Sequence, residues 1–178
     1  MKRYLLTAAG GDRPGLVAAV TRSLFDHGCN LEDSAMTRLQ GEFAILLIFS
    51  GPPSTAPLEK TLKRLGKKTG LVTHVKSLSG RETRSPRRAA EGVLVSVYGA
   101  DRPGIVFHVT DRLARAKVNI TDLSTHRTSA GKSAGYILYI EAELPRGLSP
   151  EALQSTLRDG AAAWGVTVQV KPLAASAL

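Results

Sequence analysis

Asp12-Arg13-Pro14-Gly15-Leu16-Val17 is followed 89 residues later (101 − 12) by Asp101-Arg102-Pro103-Gly104-Ile105-Val106, and Asn30-Leu31-Glu32-Asp33 returns at the same spacing as Asn119-Ile120-Thr121-Asp122. The chain is one module written twice. The repeated positions are a turn and a polar corner, not the apolar positions that any core demands, and ligands tend to be held at such loop-borne groups.

Working outward from the turn, residues 4–9 form a short apolar run closed by Gly10-Gly11, which reads as a strand. Pro14 suits the first turn of a helix, where its missing N–H has no partner, and Asp12 can act as an acceptor at the helix start. Leu16, Val17, Val20, Leu24 and Phe25 then share one face, and Gly28 ends the helix as a left-handed cap. The second copy repeats this with a strand over 93–98 and a helix carrying Ile105, Val106, Val109, Leu113 and Ala116, although Lys117 stands where the capping glycine was. Residues 30–38 and 43–49 predict a hairpin around Gln40-Gly41. Its counterpart is 119–128 and 136–143, with a longer loop over 129–135 that moves the spacing to 93 (136 − 43). A second helix (57–67 and 150–164) and a last strand (71–76 and 166–171) close each module.

The order strand, helix, strand, strand, helix, strand predicts an α+β fold: two ferredoxin-like (βαββαβ) modules, antiparallel sheets with both helices on one face. We assign 1–78 to the first module, 79–92 to a basic linker, 93–172 to the second module and 173–178 to a flexible tail. Phe43 to Phe49 is apolar at odd and even positions alike, and Tyr136 to Ile140 behaves likewise, whereas a sheet wet on one face would alternate. The faces or edges of the two copies therefore pack on each other or on a second chain. A homodimer would hide that surface, and so would intramolecular pairing.

Composition narrows the function. The chain has 178 residues, 43% hydrophobic and 22% charged, which suits a globular protein. No apolar run approaches the length that spans a bilayer, and no secretory signal is visible, so a cytoplasmic location is expected. The single cysteine, Cys29, excludes an intramolecular disulfide and a cysteine-based metal cage. The net charge of +9 sits between Lys60 and Arg88, where ten basic residues face Glu82 alone. That stripe lacks interleaved aromatics to stack bases, so direct nucleic-acid binding is not expected, and a solvated or partner-facing surface is.

The turn and the corner offer chemistry of their own. First-turn amides carry the positive end of a helix dipole, a natural seat for a carboxylate. Asp12 and Asp101 could receive an ammonium, Arg13 and Arg102 could pair with a carboxylate, and Asn30 and Asn119, at the start of the neighbouring strand, should lie near enough to add a carbonyl and an amide. A structural reading stands beside this one: aspartate before proline is a common helix start, and glycine and asparagine tolerate turn geometry. No catalytic set emerges. His27, His74, His108 and His126 lack metal-ligand spacing, no serine sits in a nucleophile elbow, and the glycine-rich turn lacks the features of a phosphate loop. His108, beside the second turn, has the best claim of the four to line a pocket, and Cys29 reads as a small buried filler. We expect no catalytic residue, no metal and no cofactor. The same element order occurs in RNA-recognition modules, and Gly41-Glu42-Phe43-Ala44 echoes their aromatic strand, but the expected aromatic partner on the first strand and the second copy's basic residue and glycine are not both present.

With D-R-P-G, the amphipathic helix and Asn-Leu or Asn-Ile in series, the chain resembles the ACT-domain family over both modules, and in its tandem form it resembles the group of the glycine cleavage system transcriptional repressor. The resemblance implies small regulatory modules that bind amino acids at interfaces between paired domains. Carried over by position, it points to Asp12, Arg13, Pro14, Gly15, Asn30 and Leu31, and to Asp101, Arg102, Pro103, Gly104, Asn119 and Ile120. Some amino-acid-binding members carry asparagine where this chain has Asp12 and Asp101; an aspartate there favours the ammonium end of a ligand and repels a carboxylate. The resemblance further implies a non-enzymatic sensor of a small amino acid, acting through a transcription-regulator protein partner in glycine and one-carbon metabolism. An interaction scaffold using the Lys60 to Arg88 stripe and a nucleic-acid-binding regulator are the alternatives.

Overall fold

The computed structural model of the chain describes residues 1–79, 91–128 and 135–173. The chain divides into two compact units, Met1–Arg87 and Arg88–Leu178. In the first the elements are β1 (Lys2–Gly11), α1 (Leu16–Asp26), β2 (Asn30–Leu39), β3 (Glu42–Gly51), α2 (Ala56–Thr69) and β4 (Val72–Ser77). In the second they are β5 (Gly92–Ala100), α3 (Ile105–Arg115), β6 (Asn119–Thr128), β7 (Gly135–Glu143), α4 (Pro150–Trp164) and β8 (Val166–Pro172). Each unit is βαββαβ around an antiparallel four-stranded sheet, ordered β2-β3-β1-β4 and β6-β7-β5-β8. Of the predicted connecting segments, 80–90 in the linker, 129–134 in the second hairpin loop and 174–178 in the tail lie outside the described residues. Among the described residues no helix is long and apolar enough to cross a membrane.

Alternation along the strands builds each core. Tyr4, Leu6 and Ala8 of β1 and Phe43, Ile45, Leu47 and Phe49 of β3 point to the face that α1 covers with Leu16, Val20 and Leu24 and α2 with Leu58 and Leu62. In the second unit Val93, Val95 and Val97 meet Ile105, Val109 and Leu113 of α3 and Leu153 and Leu157 of α4. Each such aliphatic side chain contributes about 1.5–3 kcal/mol by leaving water. On the opposite face of β3, Ala44 and Ile48 are half-buried and Leu46 is 47% exposed. The hairpin registers match across the copies, Arg38 against Phe43 and Arg127 against Tyr136, so the extra residues of the second copy fall in the hairpin loop.

Three local expectations need correction. Gly10-Gly11 does not close β1, which runs through both glycines paired with Phe43 and Glu42. Gly10 is needed instead for a close approach, because a Cβ there would lie 3.0 Å from the Gly70 carbonyl oxygen. Pro14 lies in the turn before α1, whose N-cap is Gly15, so neither Pro14 nor Asp12 performs the helix-start role expected of it. Finally, Val17 and Phe25 do not share the buried face of Leu16, Val20 and Leu24; they are 41% and 74% exposed.

Gly28 does adopt the left-handed conformation past α1, at φ 66°, and Lys117 adopts it at φ 58° past α3. The turn is the same in both: Gly28 and Lys117 donate to the carbonyls of Phe25 and Ala114. A side chain in that region costs about 1 kcal/mol. Lys117→Gly should therefore stabilise the second unit by about 0.5–1 kcal/mol, read as a higher urea midpoint; an unchanged or lower midpoint would show that the strain is relieved locally.

Candidate functional site

The D-R-P-G turn ends in a glycine that has to be one. Gly15 and Gly104 are the N-caps of α1 and α3, with φ of 90° and 93°, where a Cβ is disfavoured. Neither helix has a side-chain cap, whereas α4 is capped by Ser149, whose Oγ accepts from the Ala152 amide at 3.2 Å. The first-turn amides of α1 and α3 thus carry the positive end of each helix dipole with no internal side-chain acceptor, the physical requirement for holding an anion.

The aspartates of the turn face arginines that sequence reading did not single out. Asp12 Oδ2 pairs with Arg38 Nη1 at 3.4 Å, and Asp101 Oδ2 with Arg127 Nη2 at 2.7 Å. Arg38 and Arg127 share the 89-residue spacing of the turns, so the signal stood in the sequence (127 − 38). Exposed pairs of this kind contribute about 0.2–1 kcal/mol, which gives them little structural weight. Arg13 and Arg102 turn elsewhere. Arg13 Nη2 donates to the Lys68 carbonyl at 3.3 Å near the C-terminal end of α2, and the Arg102 guanidinium lies against Gly165, the C-cap of α4. A cation is favourable at a helix C-terminus.

Asn30 and Asn119 open β2 and β6, both solvent-exposed, with Leu31 43% exposed beside Asn30 and Ile120 half-buried. Asn119 Nδ2 donates to Glu143 Oε2 across the strand pair at 3.2 Å. The register corrects the expectation that these asparagines lie near the turn of their own module. Asn30 pairs with Ser50, and Ser50 with Arg3, whereas the turn follows Gly11. Eight strand residues separate those rows, roughly 26 Å at about 3.3 Å per residue. The cause is topological: α1 runs back along the sheet, so β2 starts at the end where β1 began.

A groove of ≈ 490 Å³ opens at the first turn, lined by Asp12, Arg13, Pro14 and Gly15, by Val17, Ala18 and Thr21 of α1, and by Met36 of β2. Met36 belongs to an edge strand of ten residues whose positions are all exposed. In the second unit the His108 ring sits beside Gly104 and stacks on Trp164, with centroids 5.4 Å apart and planes within 4°. With Arg112 and Arg115 it lines a cleft of ≈ 580 Å³ between α3 and α4. Cys29 is half-buried, and burial pushes its thiol up. It should react with a thiol reagent at pH 8 more slowly than free cysteine does; an equal or faster rate would contradict the filler role.

Two family models, each described as ACT domain, match the chain, one over residues 2–76 and one over 93–149. The chain is 33% identical over 142 residues to the glycine cleavage system transcriptional repressor of Escherichia coli (strain K12), covering 79% of this chain and 73% of that protein. A crystal structure provisionally described as a glycine cleavage system transcriptional repressor superposes with a TM-score of 0.71 at 28% identity, covering 97% of both chains. A crystal structure of an unknown protein from Galdieria sulphuraria gives 0.80 at 23% identity, covering 97% of this chain and 99% of that one, and so shares the fold.

Proposed function

The chain belongs to the ACT-domain family, and from that membership we propose that it is a non-enzymatic regulatory protein whose amino-acid site forms between modules of two chains. One observation carries the reading. The two halves of the duplicated constellation, turn and asparagine, lie at opposite ends of one sheet, so a single module does not assemble them. Antiparallel pairing of the β2 edge with the equivalent edge of a second chain, centred near Ser34, sets Asn30 of one chain opposite Arg38 and the turn of the other.

The surface supports such pairing. A long, unpaired edge strand is a template for another strand. Around it stand the exposed apolar side chains Val17 and Phe25 of α1 and Leu31, Met36 and Leu39 of β2. The site would hold the carboxylate of a small amino acid, such as glycine or serine, at the uncapped amides and its ammonium at Asp12. Because the ligand touches both chains, it binds the paired arrangement better than the separated one and so shifts association.

The relative's name, a transcriptional repressor, supports action through a transcription-regulator partner in glycine metabolism. For that contact the exposed face of α2 offers Lys60, Lys63, Arg64, Lys67 and Lys68 at helical spacing. Isothermal titration with the twenty amino acids tests the sensor reading. A small amino acid should bind, and Asn30→Ala with Asn119→Ala should weaken it at least tenfold. If no amino acid binds, the reading fails.

A further inference from the structure

We propose that Arg38 and Arg127 select the ligand of this site, making each corner specific for a zwitterion with one ammonium and one carboxylate. The inference rests on the reading above and goes beyond the residues that the D-R-P-G turn and the asparagines supply. Two facts carry it. The arginine inside each turn lends its guanidinium to the end of the second helix, Arg13 to the Lys68 carbonyl while its side chain still lines the groove, and Arg102 against Gly165. In its place a second arginine, on the last residues of β2 and β6, meets the turn's aspartate in both copies, at 3.4 Å and 2.7 Å.

The register explains how that arginine reaches the corner. Arg38 pairs with Phe43, which is buried against the helices, so Arg38 stands on the helix-facing side of the edge strand, the side on which Met36, two residues before it, lines the groove. Arg127 holds the equivalent place opposite Tyr136. Each corner therefore sets the turn's carboxylate against a guanidinium that comes from outside the turn. An aspartate alone would draw amines and repel carboxylates, and an arginine with helix amides alone would draw any carboxylate. Together they reward a molecule that presents both groups a few ångströms apart. A ligand bearing only one leaves a fixed charge of the corner unanswered. The pair is also easily entered. The side chains of Arg38 and Arg127 are 68% and 73% exposed, and the Asp12–Arg38 contact is long, so a zwitterion can insert between the partners without breaking a buried interaction.

The test titrates glycine and L-serine against glycinamide, which lacks the carboxylate, and glycolate, which lacks the ammonium. Wild-type protein should bind glycine or L-serine at least tenfold more tightly than either analogue. In the Arg38→Gln, Arg127→Gln variant the amino-acid affinity should fall at least tenfold while glycinamide is unchanged or tighter. Arg38→Lys, Arg127→Lys should recover part of the loss, and Asp12→Asn, Asp101→Asn should close the gap to glycolate instead. An arginine variant whose amino-acid affinity stays within twofold of wild type overturns this inference and leaves the sensor reading standing. An equal loss for glycine, L-serine and glycinamide overturns it too, because that is what a structural role would produce. Wild-type protein that binds neither amino acid overturns the inference together with the sensor reading.

Discussion

Gly99→Ala should cost the second module about 3 kcal/mol, at the upper end of what overpacking costs in a close-packed interior. A Cβ at that position would lie 2.6 Å from the Gly165 carbonyl oxygen, 2.8 Å from Val166 Cγ1 and 3.1 Å from Val166 Cα. Two of those atoms are backbone, and they belong to the left-handed turn, φ 68° at Gly165, that carries the chain from α4 into β8. That turn cannot retreat without pulling the C-terminal end of α4 off the sheet or breaking the β5–β8 ladder at Gly99 and Val166. The equivalent change in the first module should be milder, about 1 kcal/mol, because a Cβ on Gly10 meets the Gly70 oxygen at 3.0 Å and the flexible end of Leu71 at 3.2 Å. The chain has one tryptophan, and Trp164 lies in the second module, so its fluorescence in a urea titration follows that module alone. A Gly99→Ala protein with the wild-type midpoint would mean that the close approach is slack.

Phe25→Glu is expected to weaken the proposed pairing of two chains by at least a hundredfold in Kd, about 2.7 kcal/mol, and to take amino-acid binding with it. Phe25 is 74% exposed, with the Arg22 guanidinium 5.9 Å over its ring, so within one chain a polar replacement should change stability by no more than about 0.5 kcal/mol. It stands one and two helical turns from Thr21 and Val17, on the stripe beside the groove. If that stripe is covered by a second chain, a glutamate there buries an unpaired charge. Phe25 is not one of the proposed ligand-binding residues, so loss of ligand affinity together with loss of the dimer in this variant would point to association as the route. Sedimentation and titration on the same sample check it. A monomeric Phe25→Glu protein that binds its amino acid at wild-type affinity would place the site within one module.

The sequence carried the element order well, because period-two runs, helical faces and turn residues are local signals. Its failures lie where a residue answers to something distant. Gly10 looks like a strand terminator until the Gly70 carbonyl is seen above it. Val17 and Phe25 read as core because helical periodicity places them one residue from Leu16 and Leu24, and only packing reveals which stripe the sheet covers. Asn30 follows the turn closely along the chain, yet an eleven-residue helix carries the backbone back to the far end of the sheet. Arg38 and Arg127 were legible by their spacing, but the arginine inside each turn was the nearer candidate; the engagement of Arg13 with the end of α2 and of Arg102 with the C-cap of α4 appears only in three dimensions.

All of this turns on an amino acid being held between modules of two chains, and the dimer dissociation constant measured by sedimentation equilibrium, with and without saturating glycine or L-serine, examines that most directly. One of these amino acids should tighten association at least tenfold, and the effect should vanish in the Asn30→Ala, Asn119→Ala protein. A dissociation constant that is the same with and without them, in a protein that titration shows to bind one, would contradict it.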